Sequence, residues 1–162
     1  MQARIHNMAS ITSQELEAHL QWLQSDGTLG ERLDETGLDL SGADLRGVNL
    51  ARAQFVGTVF DNACLAGANL SGADFSGATF TGADLSGADL RGADLGGVTL
   101  SGANLSEACL IGADLSGARL DGCNLAHTDF TDADLIAADL NGASQEGILL
   151  SGAKLQDTRG IL

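Results

Sequence analysis

At 162 residues, with 44% apolar content but only 4% aromatics and neither Tyr nor Pro, the chain can build one domain around a narrow, aliphatic core. A formal charge of −14 excludes a general binder of nucleic acid or anionic membrane, whose phosphates would repel it, and makes a basic protein surface the natural complement. No apolar run is long enough to span a bilayer and no basic-then-apolar signal opens the chain, so the expected location is the cytoplasm.

Residues 1–37 stand apart as an N-terminal segment. Residues 1–7 have no periodicity of their own, and Met8 is a second candidate start. Thr12-Ser13-Gln14-Glu15 reads as a capping box with Ile11 and Leu16 as its hydrophobic staple. A helix is expected over about 13–24, with Leu16, Leu20 and Leu23 on one face, ending at Ser25-Asp26-Gly27, where Gly27 supplies a left-handed residue. Three turns are unstable alone, so the helix should dock its leucine face on the near end of the region beyond residue 37, with Trp22 covering part of the edge. Its polar face carries Glu15, Glu17 and Asp26, the wrong sign for a membrane-surface helix.

From Leu40 to Leu155 every fifth residue is large and apolar, eighteen Leu and five Phe, with Gln145 the one exception among twenty-four positions. Two residues before each centre stands Ala in seventeen cases, and two residues after it stands Gly in seventeen, so the unit is Ala-Asp/Asn-Leu-x-Gly, as in Ala83-Asp84-Leu85-Ser86-Gly87. A period of five fits neither the 3.6 of a helix nor the 2 of a strand; the chain must turn a corner in every unit. Phe55 and Phe75, and likewise Phe60 and Phe80, are twenty residues apart, so a four-sided coil stacks each pair and a three- or five-sided coil separates it. Gly two after the centre suits the third residue of a type II turn, and the corners without Gly (Arg52, Asn62, Glu107, His127, Asp132, Ala137, Asp157) are expected to use other turn types.

The repeat resembles the pentapeptide-repeat family, A(D/N)LXX, over about residues 38–158, and residues 19–27 resemble the helical lead-in found before many such repeats. The resemblance implies an all-β solenoid: a right-handed quadrilateral parallel β-helix of about six coils, with an N-terminal capping helix, a rod over 38–158 and a tail over 159–162. The centre and the small residue two before it then point inward. At about 4.8 Å per coil the rod is about 29 Å long.

No enzyme is expected, because a square rod filled with Leu has no pocket in which to gather a nucleophile and a base. His6, His19 and His127 are scattered, Cys64, Cys109 and Cys123 fit neither a CxxC pair nor a disulfide framework, and no cofactor or metal is indicated. The outside of the rod remains. Four-sided stacking aligns Gln54, Asp74, Asp94, Asp114, Asp134 and Lys154 in one file, and the four carboxylates are the candidate interaction face. Against this stands the plainer reading that Asp or Asn here only hydrogen-bonds its local turn.

The end of the chain, Ile148, Leu149 and Leu150 with Ile161 and Leu162, is expected either to be covered by the tail or to serve as the face of a symmetric dimer. The expected role is a scaffold for an unknown, basic protein partner. Some relatives protect DNA gyrase from quinolones by resembling duplex DNA, which makes a DNA mimic the alternative. Residues 38–162 hold sixteen acidic and six basic residues, a net −10. Over about 29 Å this is one net charge per about 3 Å, against one per about 1.7 Å for the duplex. The unbroken register and the short chain after Leu155 depart from those relatives, which carry an inserted loop and a C-terminal dimer helix.

Overall fold

The computed structural model describes residues 11–162. Helix α1, Ser13–Gln24, opens with the expected capping box: the Thr12 hydroxyl accepts from the Glu15 amide, and the Glu15 carboxylate accepts from the Thr12 amide at 2.7 Å. At its other end Gly27 N–H donates to Trp22 O and Asp26 N–H to Leu23 O, a Schellman closure in which Asp26 (φ 54°) takes the left-handed position expected of Gly27, which comes next at φ 88°. The chain then doubles back under the helix through Gly30 (φ 71°). A Cβ there would collide with the Ala18 carbonyl, so only glycine allows this approach.

After that every bridge among the described residues is parallel and joins positions twenty apart, from Asp34↔Gln54 to Asp139↔Arg159. Four pentads therefore close one turn of a four-sided coil. The bridges are single-residue contacts, because a pentad that spends two residues on each corner has no room for a longer strand. The ladder register is already present at Asp34, and Glu35 occupies an inward centre with 7% of its surface exposed.

Following the amides of one pentad shows why the unit has five residues. The N–H of the small residue closes the corner (Ala73 to Leu70 O, 3.1 Å) and that of the next residue donates to the preceding coil (Asp74 to Ala53 O, 3.0 Å). The centre and the second corner residue donate to the following coil (Phe75 to Asp94 O, 2.8 Å; Gly77 to Gly96 O, 3.2 Å). The first corner residue has no backbone acceptor, and the Asp or Asn two before it supplies one: Ser76 N–H donates to Asp74 Oδ1 at 3.0 Å. All five donors are thereby satisfied within a buried or half-buried backbone.

The bore is filled by the centres and the small residues, nearly all fully buried, with Phe55 and Phe75 stacked at 5.3 Å between ring centroids and 7° between planes. Where an inward small position carries a donor, that donor reaches the centre carbonyl of the coil below. Thr58 donates to Glu35 O, Cys123 to Leu100 O, Thr128 to Leu105 O and Thr158 to Leu135 O.

The non-glycine corners correct an expectation. Arg52, Asn62, Glu107, His127, Asp132, Ala137 and Asp157 all take φ between 57° and 61°, the same left-handed conformation as the glycines. For Arg52, Asn62, Glu107, His127, Asp132 and Ala137 the cause is the ladder: each corner N–H donates to a carbonyl of the next coil, as His127 N–H does to Glu146 O, so the backbone keeps the turn and the residue bears the strain. At three of them room for the side chain comes from glycine on the next coil. Asn62 leans over Gly82, His127 over Gly147 and Asp132 over Gly152.

Candidate interaction faces

The structure aligns the acidic file through the bridges Gln54↔Asp74, Asp74↔Asp94, Asp94↔Asp114, Asp114↔Asp134 and Asp134↔Lys154. Asp94 and Asp114 are exposed; Asp74 and Asp134 are half-buried. In each, Oδ1 accepts the N–H two residues on: from Ser76 at 3.0 Å, Gly96 at 3.0 Å, Ser116 at 2.8 Å and Ile136 at 3.0 Å. The local-turn role is therefore real at all four. Lys154 ends the file, its ammonium donating to Asp134 Oδ2 at 2.9 Å, and this bond with the Ile136 amide holds the Asp134 carboxyl below the usual range.

The face across the rod shows that this structural task needs no charge. Asn104 and Asn124 accept from the amides of Ser106 and Ala126 in the same geometry, at 3.1 and 3.2 Å. Their amide groups then add an axial ladder, Asn124 Nδ2 to Asn104 Oδ1 at 3.1 Å and Asn104 Nδ2 to Asp84 Oδ1 at 3.3 Å. Elsewhere carboxylates are neutralised locally, Asp44 by Arg46 and Asp89 by Arg91. The Arg46 guanidinium holds Asp44 down to about 2. Among the described residues Asp74, Asp94 and Asp114 form no such ion pair.

Ser76 is tied into the same turn. Its hydroxyl donates to Asp74 Oδ1, so Ser76→Asp, which looks silent when Ser76 is read simply as an outward residue, would replace a donor with a second carboxylate.

At the C-terminal end Gln145, the one polar centre between Leu40 and Leu155, clasps the tail. Its amide donates to Gly160 O at 2.6 Å and its carbonyl accepts from Leu162 N–H at 3.2 Å. Gly160 (φ 77°) sits so close to Leu140 and Asn141 that a Cβ would strike their backbone. The expected alternatives are divided. Ile148, Leu150 and Ile161 pack partly against the core, whereas Leu149 is 54% and Leu162 98% exposed.

At the N-terminal end the leucine face docks only in part, with Leu16 packed against the core. Leu20 is exposed and Leu16 and Leu23 are half-buried; the fully buried helix residue is His19. Its Nδ1 accepts from Leu33 N–H at 3.1 Å and its Nε2 meets Ala51 O at 3.0 Å, which makes Nε2 the protonated nitrogen. Ala51 O is the carbonyl that a preceding corner amide would otherwise engage, so His19 closes that ladder position, and Arg32 Nε donates to the adjacent Arg52 O at 2.7 Å. Trp22 stacks on His19 and lies between Arg32 and Arg52, with ring-to-guanidinium distances of 5.9 and 4.9 Å. Sequence reading passed over His19 because nothing local marks it; only its 32-residue separation from Ala51, closed by the fold, gives it a role.

Among the described residues no His/Cys/Asp/Glu group is placed to hold a metal ion, and no helix is long and apolar enough to cross a membrane. A stack of four-sided coils in which each unit touches only its neighbours, with its chemistry arrayed in columns outside, is a solenoid repeat protein. The family profile described as "Pentapeptide repeats (8 copies)" matches residues 39–77, 62–97, 78–117, 108–144 and 128–159. The chain belongs to the pentapeptide repeat family, whose members fold into right-handed quadrilateral β-helices.

Comparison with curated protein sequences gives no match. Among solved structures, a pentapeptide repeat protein from the Arabidopsis thaliana thylakoid lumen is 42% identical, with 62% of this chain and 66% of that one covered and a TM-score of 0.37. HetL of Nostoc sp. strain PCC 7120, involved in heterocyst differentiation regulation, is 25% identical, with coverage of 86% and 92% and a TM-score of 0.34. QnrB1, a plasmid-mediated fluoroquinolone resistance protein, is 21% identical, with coverage of 78% and 72% and a TM-score of 0.45.

Proposed function

We propose that this chain is a non-enzymatic scaffold that holds a basic protein surface along the file Asp74, Asp94, Asp114 and Asp134. One observation carries the reading: the acceptor role these four residues fill is met equally well by Asn at Asn104 and Asn124, yet all four are Asp. Like charges repeated about every 4.8 Å repel one another, a cost that a cationic partner would remove.

The test uses Asp94→Asn/Asp114→Asn, which keeps both hydrogen bonds and removes two charges. Wild type and variant serve as bait in extracts of the source cell, with circular dichroism confirming equal folding. Loss of a bound protein from the variant alone supports the reading; identical retention by both baits contradicts it.

In this reading residues 1–37 cap about six coils spanning 38–158, with 159–162 as a tail. The rod works in the cytoplasm without a cofactor, and Leu149 with Leu162 offers a second copy an apolar patch at the C-terminal end. The second reading, a DNA mimic that engages a gyrase-type topoisomerase, draws on the net −10 of residues 38–162 along a narrow rod. Salt-sensitive inhibition of gyrase supercoiling, or its protection from a quinolone, supports it; no effect at micromolar protein rules it out.

A further inference from the structure

We propose that α1 is a pH-gated latch: protonation of His19 detaches the helix from the first coil while the rod stays folded. The geometry of the ring carries this. Its two nitrogens face partners of opposite kind, an N–H donor at Leu33 and a carbonyl at Ala51, so only the neutral Nε2–H form satisfies both. A second proton would have to sit on Nδ1, pointing at the Leu33 N–H in a fully buried position. That breaks the bond and leaves two donors opposed, the costly arrangement for a buried polar pair.

The surrounding charges act in both directions. Burial disfavours the imidazolium, the bond to Ala51 O favours it, and the Arg32 guanidinium disfavours it again, with the net result that the ring is less basic than free histidine. Arg52, the other cation on Trp22, faces the same cluster, and its partner Asp26 is exposed at 3.6 Å. Glu15, Glu31, Asp34 and Glu35 line the groove between α1 and residues 30–35, and Glu15 is already engaged by Thr12.

The rod has no such dependence. Its bridges from Asp34 onward join backbone to backbone, and among the described residues no bond within them passes through His19. Helix α1 is held mainly by this ring, by the Glu31 N–H to Ala18 O bond and by partly buried Ile11 and Leu16. A group whose docked pKa lies below its free value stabilises docking fully above the free value, about 6.5 for histidine. That stabilisation is lost as the pH falls from there toward the docked value.

Trp22, the only tryptophan, is a built-in reporter because it stacks on His19 at 5.8 Å. Its emission is followed on the full chain from roughly pH 8 to 5, alongside far-ultraviolet circular dichroism. The expected result is a reversible sigmoidal change with a midpoint below 6.5 and little loss of the β signal. The step should persist in His6→Gln/His127→Gln and vanish in His19→Gln, whose amide can imitate the neutral ring. No step in the wild type, the same step in His19→Gln, or loss of the β signal in parallel would overturn the latch. Should His19→Gln fail to fold, imidazole NMR of the wild type decides: His19 is expected to titrate below the free-histidine value of about 6.5, and titration at or above that value refutes the proposal.

Discussion

The ring of Phe60 lies 4.8 Å from that of Phe80, with 5° between their planes, although twenty residues of chain separate them. The same coil-on-coil relation holds for Phe55 and Phe75, and edge-to-face contacts join the columns, Phe55 to Phe60 at 5.1 Å and Phe75 to Phe80 at 5.3 Å. Four rings thus form one interlocked block across two coils.

Phe75 sits inside this block with no exposed surface. Phe75→Asp places an unpaired carboxylate there and should abolish cooperative thermal unfolding, since burial of an isolated charge exceeds the stability of a typical domain. Ser151→Asp, at an exposed corner, should leave the melting curve close to wild type. Differential scanning calorimetry on both variants checks the contrast.

One substitution should act with opposite signs at two threonines. Thr128 is fully buried and donates to Leu105 O at 2.8 Å, so Thr128→Val orphans that bond and should destabilise by about 1 kcal/mol. Thr79 Oγ1 is buried without a partner among the described residues, and its neighbour one rung away is already Val59. Thr79→Val should therefore stabilise by about 1 kcal/mol. Chemical denaturation midpoints at unchanged slope measure both.

A second pair isolates the corner conformation. Ala137 is held at φ 58°, and Gly112 at φ 67° has open space where a side chain would stand. Ala137→Gly should raise stability by up to about 1 kcal/mol and Gly112→Ala should lower it by about as much, because only the left-handed backbone is changed. Equal melting temperatures would mean that the corners carry no strain.

Much of this was readable in the residues, and the reason is periodicity. A five-residue register repeated without a slip specifies which side chains share a rung, so the stacking of Phe60 on Phe80 and the alignment of Asp74 with Asp94 need no coordinates. The two ends were less readable because neither obeys the repeat. His19 docks through a buried ring where leucines looked the natural choice, and Gln145, the lone break in the register, proves to hold the tail. The corners failed in another way. Reading each non-glycine residue by its own preference ignored the ladder, which commits Arg52 and Asp132 to the same turn as their glycine neighbours.

The thiols differ by position. Burial pushes the Cys123 thiol up to about 12, and the ring of coils shields it, whereas Cys64 and Cys109 are half-exposed. In native protein Ellman's reagent should titrate Cys64 and Cys109 promptly and Cys123 only on unfolding. Three equally fast thiols would place Cys123 outside the core.

The square cross-section underlies both the core and the acidic file, and a distance along one face tests it most directly. Spin labels on Asp74→Cys and Lys154→Cys, in a chain whose native cysteines are replaced, report the span of four rungs, about 19 Å at about 4.8 Å per rung. A narrow distance distribution near about 20 Å is the predicted result, although the labels are eighty positions apart in the chain. A distribution centred beyond about 35 Å, or one with no defined maximum, would contradict the four-sided coil and with it the alignment of Asp74, Asp94, Asp114 and Asp134.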